Sequence, residues 1–252
     1  MNKVILSLFG GVGLLDMGFE AAGFCVVRAG DLLWGSDIKK FDAKPLKGLI
    51  AGVIGGVPCQ AFSSAVKLEN RCNYENLWPD YYRIVKEIEP EWFLAENVKG
   101  AKDEALSVFS TPNNYHIKAK ILDFSKLGSA QKRIRLITFG AVNSEITTAF
   151  FGGLEKNGLR RGLQWREKIG RESGEKYKTI FGDSIQGRQS KTEPAKFITG
   201  DDLLDAFDLP KNWSLPSREK FPRGVTSRLI TQGVPVAAAY ALAMAVKEYY
   251  EI

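Results

Sequence analysis

Cysteine and histidine are scarce in this chain, and their scarcity removes several classes of chemistry. Three cysteines occur, Cys25, Cys59 and Cys72, at spacings that suggest neither a disulfide framework nor a zinc knuckle. Free thiols in a reducing compartment are expected, and no metal. The single histidine, His116, lies in the polar stretch Asn113-Asn114-Tyr115-His116, so a Cys–His hydrolase would depend entirely on it. Long apolar runs are missing too: none approaches the ~20 residues that a membrane-spanning helix requires. The short apolar stretch after Lys3 enters a Gly-rich turn without a small-residue cleavage site, which argues against a signal peptide and for a soluble, cytoplasmic protein. There is no internal repeat and no low-complexity tract.

Positive charge is present in excess. The formal net charge is +6, and eleven Lys and Arg against six acids between Glu155 and Lys196 place five of those charges in one segment. A solvated surface is the ordinary meaning of such a run, and a polyanionic partner is the alternative.

Residues 1–142 alternate short β-rich runs with helical stretches. Val4 to Phe9 is followed by the turn Gly10-Gly11-Val12-Gly13 and a helix-like Leu14 to Ala22. Further strands are expected at Cys25–Ala29, Gly52–Ile54, Trp92–Ala95 and Arg135–Phe139, with a helix over Asp80–Ile88. Strands separated by helices predict an α/β fold with a doubly wound, mostly parallel sheet, whose ligands bind beyond the carboxyl ends of the strands. From about residue 143 to 195 the rhythm is lost and Gly, Arg, Lys, Ser and Thr dominate, which predicts a small, irregular lobe. Helical patterns return at Thr199–Phe207 and in the Ala-rich Val236–Tyr249. The expected division is 1–142, 143–224 and 225–252, the last segment returning to the first domain.

Four motifs could carry chemistry. The turn Phe9-Gly10-Gly11-Val12-Gly13 allows close backbone approach to a ligand, and Asp31, after the next strand, stands where a carboxylate can accept ribose hydroxyls. A plain turn and a surface acid are the bland alternatives. Gly55-Gly56-Val57-Pro58-Cys59-Gln60 places a thiol after a proline in a Gly-rich loop at a strand end, unlike the usual small buried cysteine. Glu96-Asn97-Val98 ends an apolar strand, where a carboxyl can exchange a proton with a ring nitrogen or serve as an ordinary loop acid. In Gln131-Lys132-Arg133-Ile134-Arg135, alternation puts two guanidinium groups on one face, suited to a phosphate or carbonyl oxygen or simply to solvent.

Together and in this order, these motifs resemble the cytosine-C5 DNA methyltransferase family. Gln232-Gly233-Val234-Pro235, before the Ala-rich helix, resembles the family's last motif. The resemblance spans about 1–142 and 197–252. It implies a Rossmann-like methyltransferase domain with a target-recognition region at 143–224, and S-adenosylmethionine as cofactor. Phe9, Gly11, Gly13, Asp31, Asp37, Ile38, Pro58, Leu77, Gln232 and Val234 would bind that cofactor. Cys59 would be the nucleophile, Glu96 would hold the N3/N4 edge of a flipped cytosine, and Arg135, helped by Arg133, would bind O2. Gln60, Ser63, Arg160, Arg161 and Arg166 would contact double-stranded DNA. A monomer with a cognate restriction endonuclease is expected. Three departures stand out: the short spacing between Asp31 and Asp37, Gln232 where the family has Asn, and a short recognition segment. A tRNA cytosine-C5 methyltransferase of the same fold and a catalytically silent DNA-binding homologue are the rival readings. A nicotinamide-dependent dehydrogenase would leave Pro58-Cys59-Gln60 without a purpose.

Overall fold

The computed structural model describes residues 4–64, 66–110, 113–178, 180, 200–214 and 223–250. In chain order its strands are β1 (Val4–Leu8), β2 (Cys25–Ala29), β3 (Gly52–Gly56), β4 (Trp92–Asn97), β5 (His116–Asp123) and β6 (Ile134–Ala141). Its helices are α1 (Leu14–Ala21), α2 (Trp78–Ile88), α3 (Lys102–Val108), α4 (Ser144–Lys168), α5 (Gly200–Ala206), α6 (Arg223–Gln232) and α7 (Val236–Tyr250). The five expected strands and the expected helices are present, while Thr199 lies outside the described residues. Four elements were not expected: β5, α3, α4 and α6. β5 carries Ile117, Ala119 and Ile121 in alternation with Lys118 and Lys120, a period-two signal diluted by its half-exposed position at the end of the sheet. α4, in the stretch expected to be irregular, is a 25-residue helix.

The chain forms two compact units that interleave along the sequence. The first comprises residues 1–10, 23–122 and 134–152, and the second comprises 11–22, 123–133 and 153–252.

The first unit contains the six-stranded sheet, in the order β2-β1-β3-β4-β6-β5. β1 pairs in parallel with β2 and β3, β3 pairs in parallel with β4, and β6 runs antiparallel to β4. α2 forms because apolar residues recur at helical spacing: Trp78, Tyr81, Ile84, Val85 and Ile88 are all buried in one cluster with Leu6, Leu8, Val53 and Phe93. Pro79 in the first turn needs no hydrogen bond there. Each such side chain contributes about 1.5–3 kcal/mol by leaving water. The Tyr81 hydroxyl, fully buried, donates toward the Leu94 carbonyl at 3.0 Å, so α2 is fixed to the sheet by both packing and polarity. Gly52 and Gly140 leave room for the rings of Trp92 and Phe93, which a Cβ at either position would strike.

The second unit has a separate core of Leu14, Trp165, Ile180, Leu203, Phe207, Leu209, Ile230 and Val236. Gly18 of α1 meets Ala239 of α7 so closely that any Cβ at position 18 would collide with it. Small side chains on both helices therefore let their backbones approach. Gly162 of α4 plays the same part against the Leu127 carbonyl and Gly128. This explains how a helix rich in glycine, a poor helix former, persists: close tertiary packing compensates for low propensity.

Candidate active site

The parallel pairing of β1, β3 and β4 aligns their carboxyl ends. Leu8 pairs with Gly55, and Gly56 pairs with Glu96, so Phe9, the loop leading to Cys59, and Glu96 follow at one end of the sheet. Because β6 is antiparallel, its amino end lies there as well, with Leu136 opposite Asn97. Arg135 thereby reaches Glu96: its Nε lies 3.0 Å from Glu96 Oε1, and both side chains are about nine-tenths buried. Arg135 Nη1 also donates to the Ile134 carbonyl at 2.8 Å. A buried ion pair is costly to desolvate and is weak evidence for stability, so one held at strand ends is better explained by function.

Glu96 also borders the start of the Cys59 loop, since a Cβ on Gly56 would lie 3.8 Å from Glu96 Oε2. The next residue, Asn97, is buried; its Nδ2 donates to the Val57 carbonyl at 3.1 Å and its Oδ1 accepts from Val98 N at 2.7 Å. That side chain ties the loop entering Pro58-Cys59 to the strand carrying Glu96. The sequence marked Asn97 within a motif without giving it a task. Cys59 itself is partly exposed, and its carbonyl accepts from Phe62 N at 2.9 Å, closing a turn around it. Gln60 is exposed and Ser63 half-buried on the same loop. A thiol on a turn held by a buried amide, beside a buried carboxylate–guanidinium pair, suits addition to a planar, polar ring whose edge the pair can hold.

Phe9 has φ 55°, a left-handed conformation rare for a bulky residue and found where surrounding structure enforces it, commonly at ligand sites. At the end of β2, Asp31 Oδ1 accepts from Leu33 N at 2.8 Å, and Asp37 Oδ1 accepts from Lys39 N at 3.0 Å. Both carboxylates are half-buried, whereas the short helix between them exposes Leu32 and Trp34. Two acids and an open indole suit a ligand with a diol, an exocyclic amine and a flat ring. Trp34 is absent from the sequence expectations because a single aromatic in a loop carries no periodic signal. Ile38 is buried against Gly30, where a Cβ would collide with it, and belongs to the core; Pro58 and Leu77 are half-buried.

The residues of this chain from 4 to 196 match the family model of C-5 cytosine-specific DNA methylases. The chain belongs to that family. A type II methyltransferase of Fusobacterium nucleatum, M.FnuDI, is 36% identical over 159 residues, 54% of this chain and 46% of that protein. The chain thus spans about half the length of that relative. M.HgiDI, a type II methyltransferase of Herpetosiphon aurantiacus, is 26% identical over 97% of this chain and 94% of its own length. Among solved structures, the Entamoeba histolytica methyltransferase EhMeth matches with a TM-score of 0.66 at 10% identity, covering 98% of each chain, and supports the fold.

The family's motifs also run through the second unit, where the structure corrects three expectations. Gly11 and Gly13 adopt φ of 55° and 81°, as the turn before α1 requires. Gln232 is exposed and Val234 buried. Arg133, expected beside Arg135 at a carbonyl oxygen, is instead buried: its Nη2 donates to the Thr231 carbonyl at 2.9 Å and its Nη1 donates to Gln131 Oε1 and the Ile180 carbonyl, both at 3.3 Å. β6 begins only at Ile134, so strand alternation does not extend back to Arg133. Its guanidinium holds the start of the Gln232 motif rather than a substrate.

The other two corrections concern DNA contacts. Arg161 and Arg166 are buried, Arg161 paired with Glu248, and Arg166 with both Asp208 and Asp205. Successive helical residues are turned by about 100°, and the face with Leu154, Gly158, Trp165 and these arginines points inward, whereas Arg160 is exposed. Burial lowers the pKa of the Arg161 guanidinium, and neighbouring Arg160 adds to the shift. Burial likewise raises Asp208 to about 6 against the opposing pull of Arg166. Of the basic segment, 179 and 181–196 lie outside the described residues.

Proposed function

We propose that this chain transfers a methyl group from S-adenosylmethionine to C5 of a cytosine in double-stranded DNA, through a covalent bond between Cys59 and C6. The buried Glu96–Arg135 pair beside the Cys59 loop carries this reading. C5 of cytosine is too weak a nucleophile while the ring is aromatic. Cys59 Sγ, as a thiolate, adds to C6 and drives the ring electrons onto C5; Glu96 holds the N3/N4 edge, and Arg135 holds O2 as charge develops. The donor supplies an electrophilic methyl to C5. A base, a water in our reading, then takes the C5 proton, and the electrons of that C–H bond re-form the C5–C6 double bond and expel the thiolate. Because C5 and C6 are shielded in a duplex, the base must be flipped out, at a cost of a few kcal/mol repaid by backbone contacts.

Asp31 and Asp37 would accept hydrogen bonds from the ribose hydroxyls and the adenine amino group, with Phe9, Pro58, Leu77 and Trp34 lining that pocket and Ile38 supporting it from the core. Gly11, Gly13, Gln232 and Val234 keep a donor role on the resemblance alone. Gln60, Ser63 and Arg160 remain the DNA contacts. Region 143–224 would read the target site. The enzyme would act as a monomer in the cytoplasm, paired with a cognate restriction endonuclease. Among the described residues, no helix is long and apolar enough to cross a membrane.

The test is label transfer from tritiated S-adenosylmethionine to unmethylated duplex DNA and to unmodified tRNA, with the wild type and with Cys59→Ala. Cys59-dependent label in DNA is expected, with DNA binding by Cys59→Ala largely intact. Label only in tRNA, or turnover by Cys59→Ala, would refute the assignment.

A further inference from the structure

The segment bearing Asp37 has no regular structure of its own beyond two turn hydrogen bonds, Lys40 N to the Asp37 carbonyl at 3.0 Å and Phe41 N to the Ile38 carbonyl at 3.3 Å. It is held instead by α2. Arg83 Nη2 donates to the Ile38 carbonyl at 2.6 Å, and Nη1 donates to the Phe41 carbonyl at 3.1 Å. Glu87, one turn further along the same face, accepts from Arg83 Nη1 at 2.9 Å through Oε1 and from Ala43 N at 3.2 Å through Oε2. The two side chains therefore bind both ends of the 38–43 segment, one capturing its carbonyls and the other its amide.

We infer that Arg83 and Glu87 are positioning residues that set the specificity of this site for adenine in the methyl donor. This role presupposes the donor site proposed for Asp31 and Asp37. Two charge-assisted hydrogen bonds from one rigid guanidinium, itself held by Glu87, fix a loop backbone more firmly than packing alone. Ile38 anchors the same segment from beneath, its side chain buried against Gly30. The Asp37 carboxylate sits at the start of the clamped turn, so its reach toward an exocyclic amine depends on the carbonyl positions that Arg83 fixes. Neither Arg83 nor Glu87 touches the ligand in this scheme. Lysine at position 83 could satisfy these carbonyls only in part, because an ammonium lacks the planar fork.

The experiment is calorimetric binding of S-adenosylhomocysteine and of S-inosylhomocysteine, in which a carbonyl replaces the amino group, to the wild type, Arg83→Leu, Arg83→Lys and Glu87→Gln. The wild type should prefer the adenosyl compound by about tenfold, the loss expected for one hydrogen bond to a charged group. Arg83→Leu should erase most of that preference by weakening the adenosyl compound alone. Arg83→Lys and Glu87→Gln should retain an intermediate preference, and they extend the test should Arg83→Leu fold poorly. In turnover, the variants should raise KM for S-adenosylmethionine with kcat unchanged at saturation. Undiminished preference in the variants, or equal weakening of both compounds, overturns the inference while leaving donor binding in place. A wild type that binds neither compound overturns the donor reading, and this inference falls with it.

Discussion

Arg135→Met separates what the buried ion pair does for folding from what it does for chemistry. Glu96 and Arg135 are 6% and 9% exposed, with 3.0 Å between Nε and Oε1, so removing the guanidinium leaves a carboxylate in a site that water barely reaches. Breaking one side of such a pair costs about 3–5 kcal/mol, whereas replacing both partners with apolar side chains of similar volume is commonly neutral or stabilising. Arg135→Met should therefore lose about 3–5 kcal/mol of unfolding free energy. The double variant Glu96→Leu/Arg135→Met should recover most of it, a coupling of about 3 kcal/mol in a double-mutant cycle. Urea denaturation of the wild type, Glu96→Leu, Arg135→Met and the double variant at pH 7 measures both quantities, and methyl transfer should be abolished in all three variants. A loss below about 1 kcal/mol in Arg135→Met would show that solvent reaches Glu96 and would refute the reasoning from burial. A double variant as unstable as the single would assign the pair to the fold instead of the chemistry.

Gly162→Ala should destabilise the protein by about 1–3 kcal/mol in thermal or chemical denaturation despite alanine's better helix propensity, because the new Cβ strikes the Leu127 carbonyl and Gly128, backbone that no rotamer change can move. An unchanged midpoint would contradict that packing. Arg160→Ala should weaken DNA binding and flatten its salt dependence while leaving stability within about 0.5 kcal/mol; Arg166→Ala should do the reverse, losing about 3–5 kcal/mol with both acids left buried. Filter binding over a salt series, alongside urea melts, distinguishes the two residues. Asp208 titrates at about 6 in the folded state against an ordinary 3.8, so the native state holds its proton longer than the unfolded chain does. Its contribution to stability should accordingly fall as pH rises from about 4 to about 6, by on the order of 3 kcal/mol, and level off above. Asp208→Asn should flatten that part of the stability profile, and an unaltered slope would refute the assignment.

The motif order, the strands and the amphipathic α2 were legible in the sequence because each rests on local rules: period-two or helical burial, glycine where the backbone turns, polar residues at strand ends. Those rules located Cys59, Glu96 and Arg135 correctly as neighbours of strand termini. They failed where a charged residue's fate depends on what surrounds it. Arg133, Arg160, Arg161 and Arg166 are alike as letters, yet one is exposed and three are buried on carbonyls or carboxylates. Arg83 and Glu87 had no local signal either, and Asn97 had a motif but no task, since their partners are backbone groups tens of residues away.

The sequence alone determined the family, the α/β class and the place of Cys59 on a loop at a strand end, because short-range spacing encodes them. Only the tertiary structure decided that β6 runs antiparallel and so brings Arg135 to Glu96, and which arginines of α4 face inward. Burial and ion pairing are properties of residues far apart in the chain, and the energy that orients a guanidinium comes from the partner it meets, which no neighbouring residue specifies.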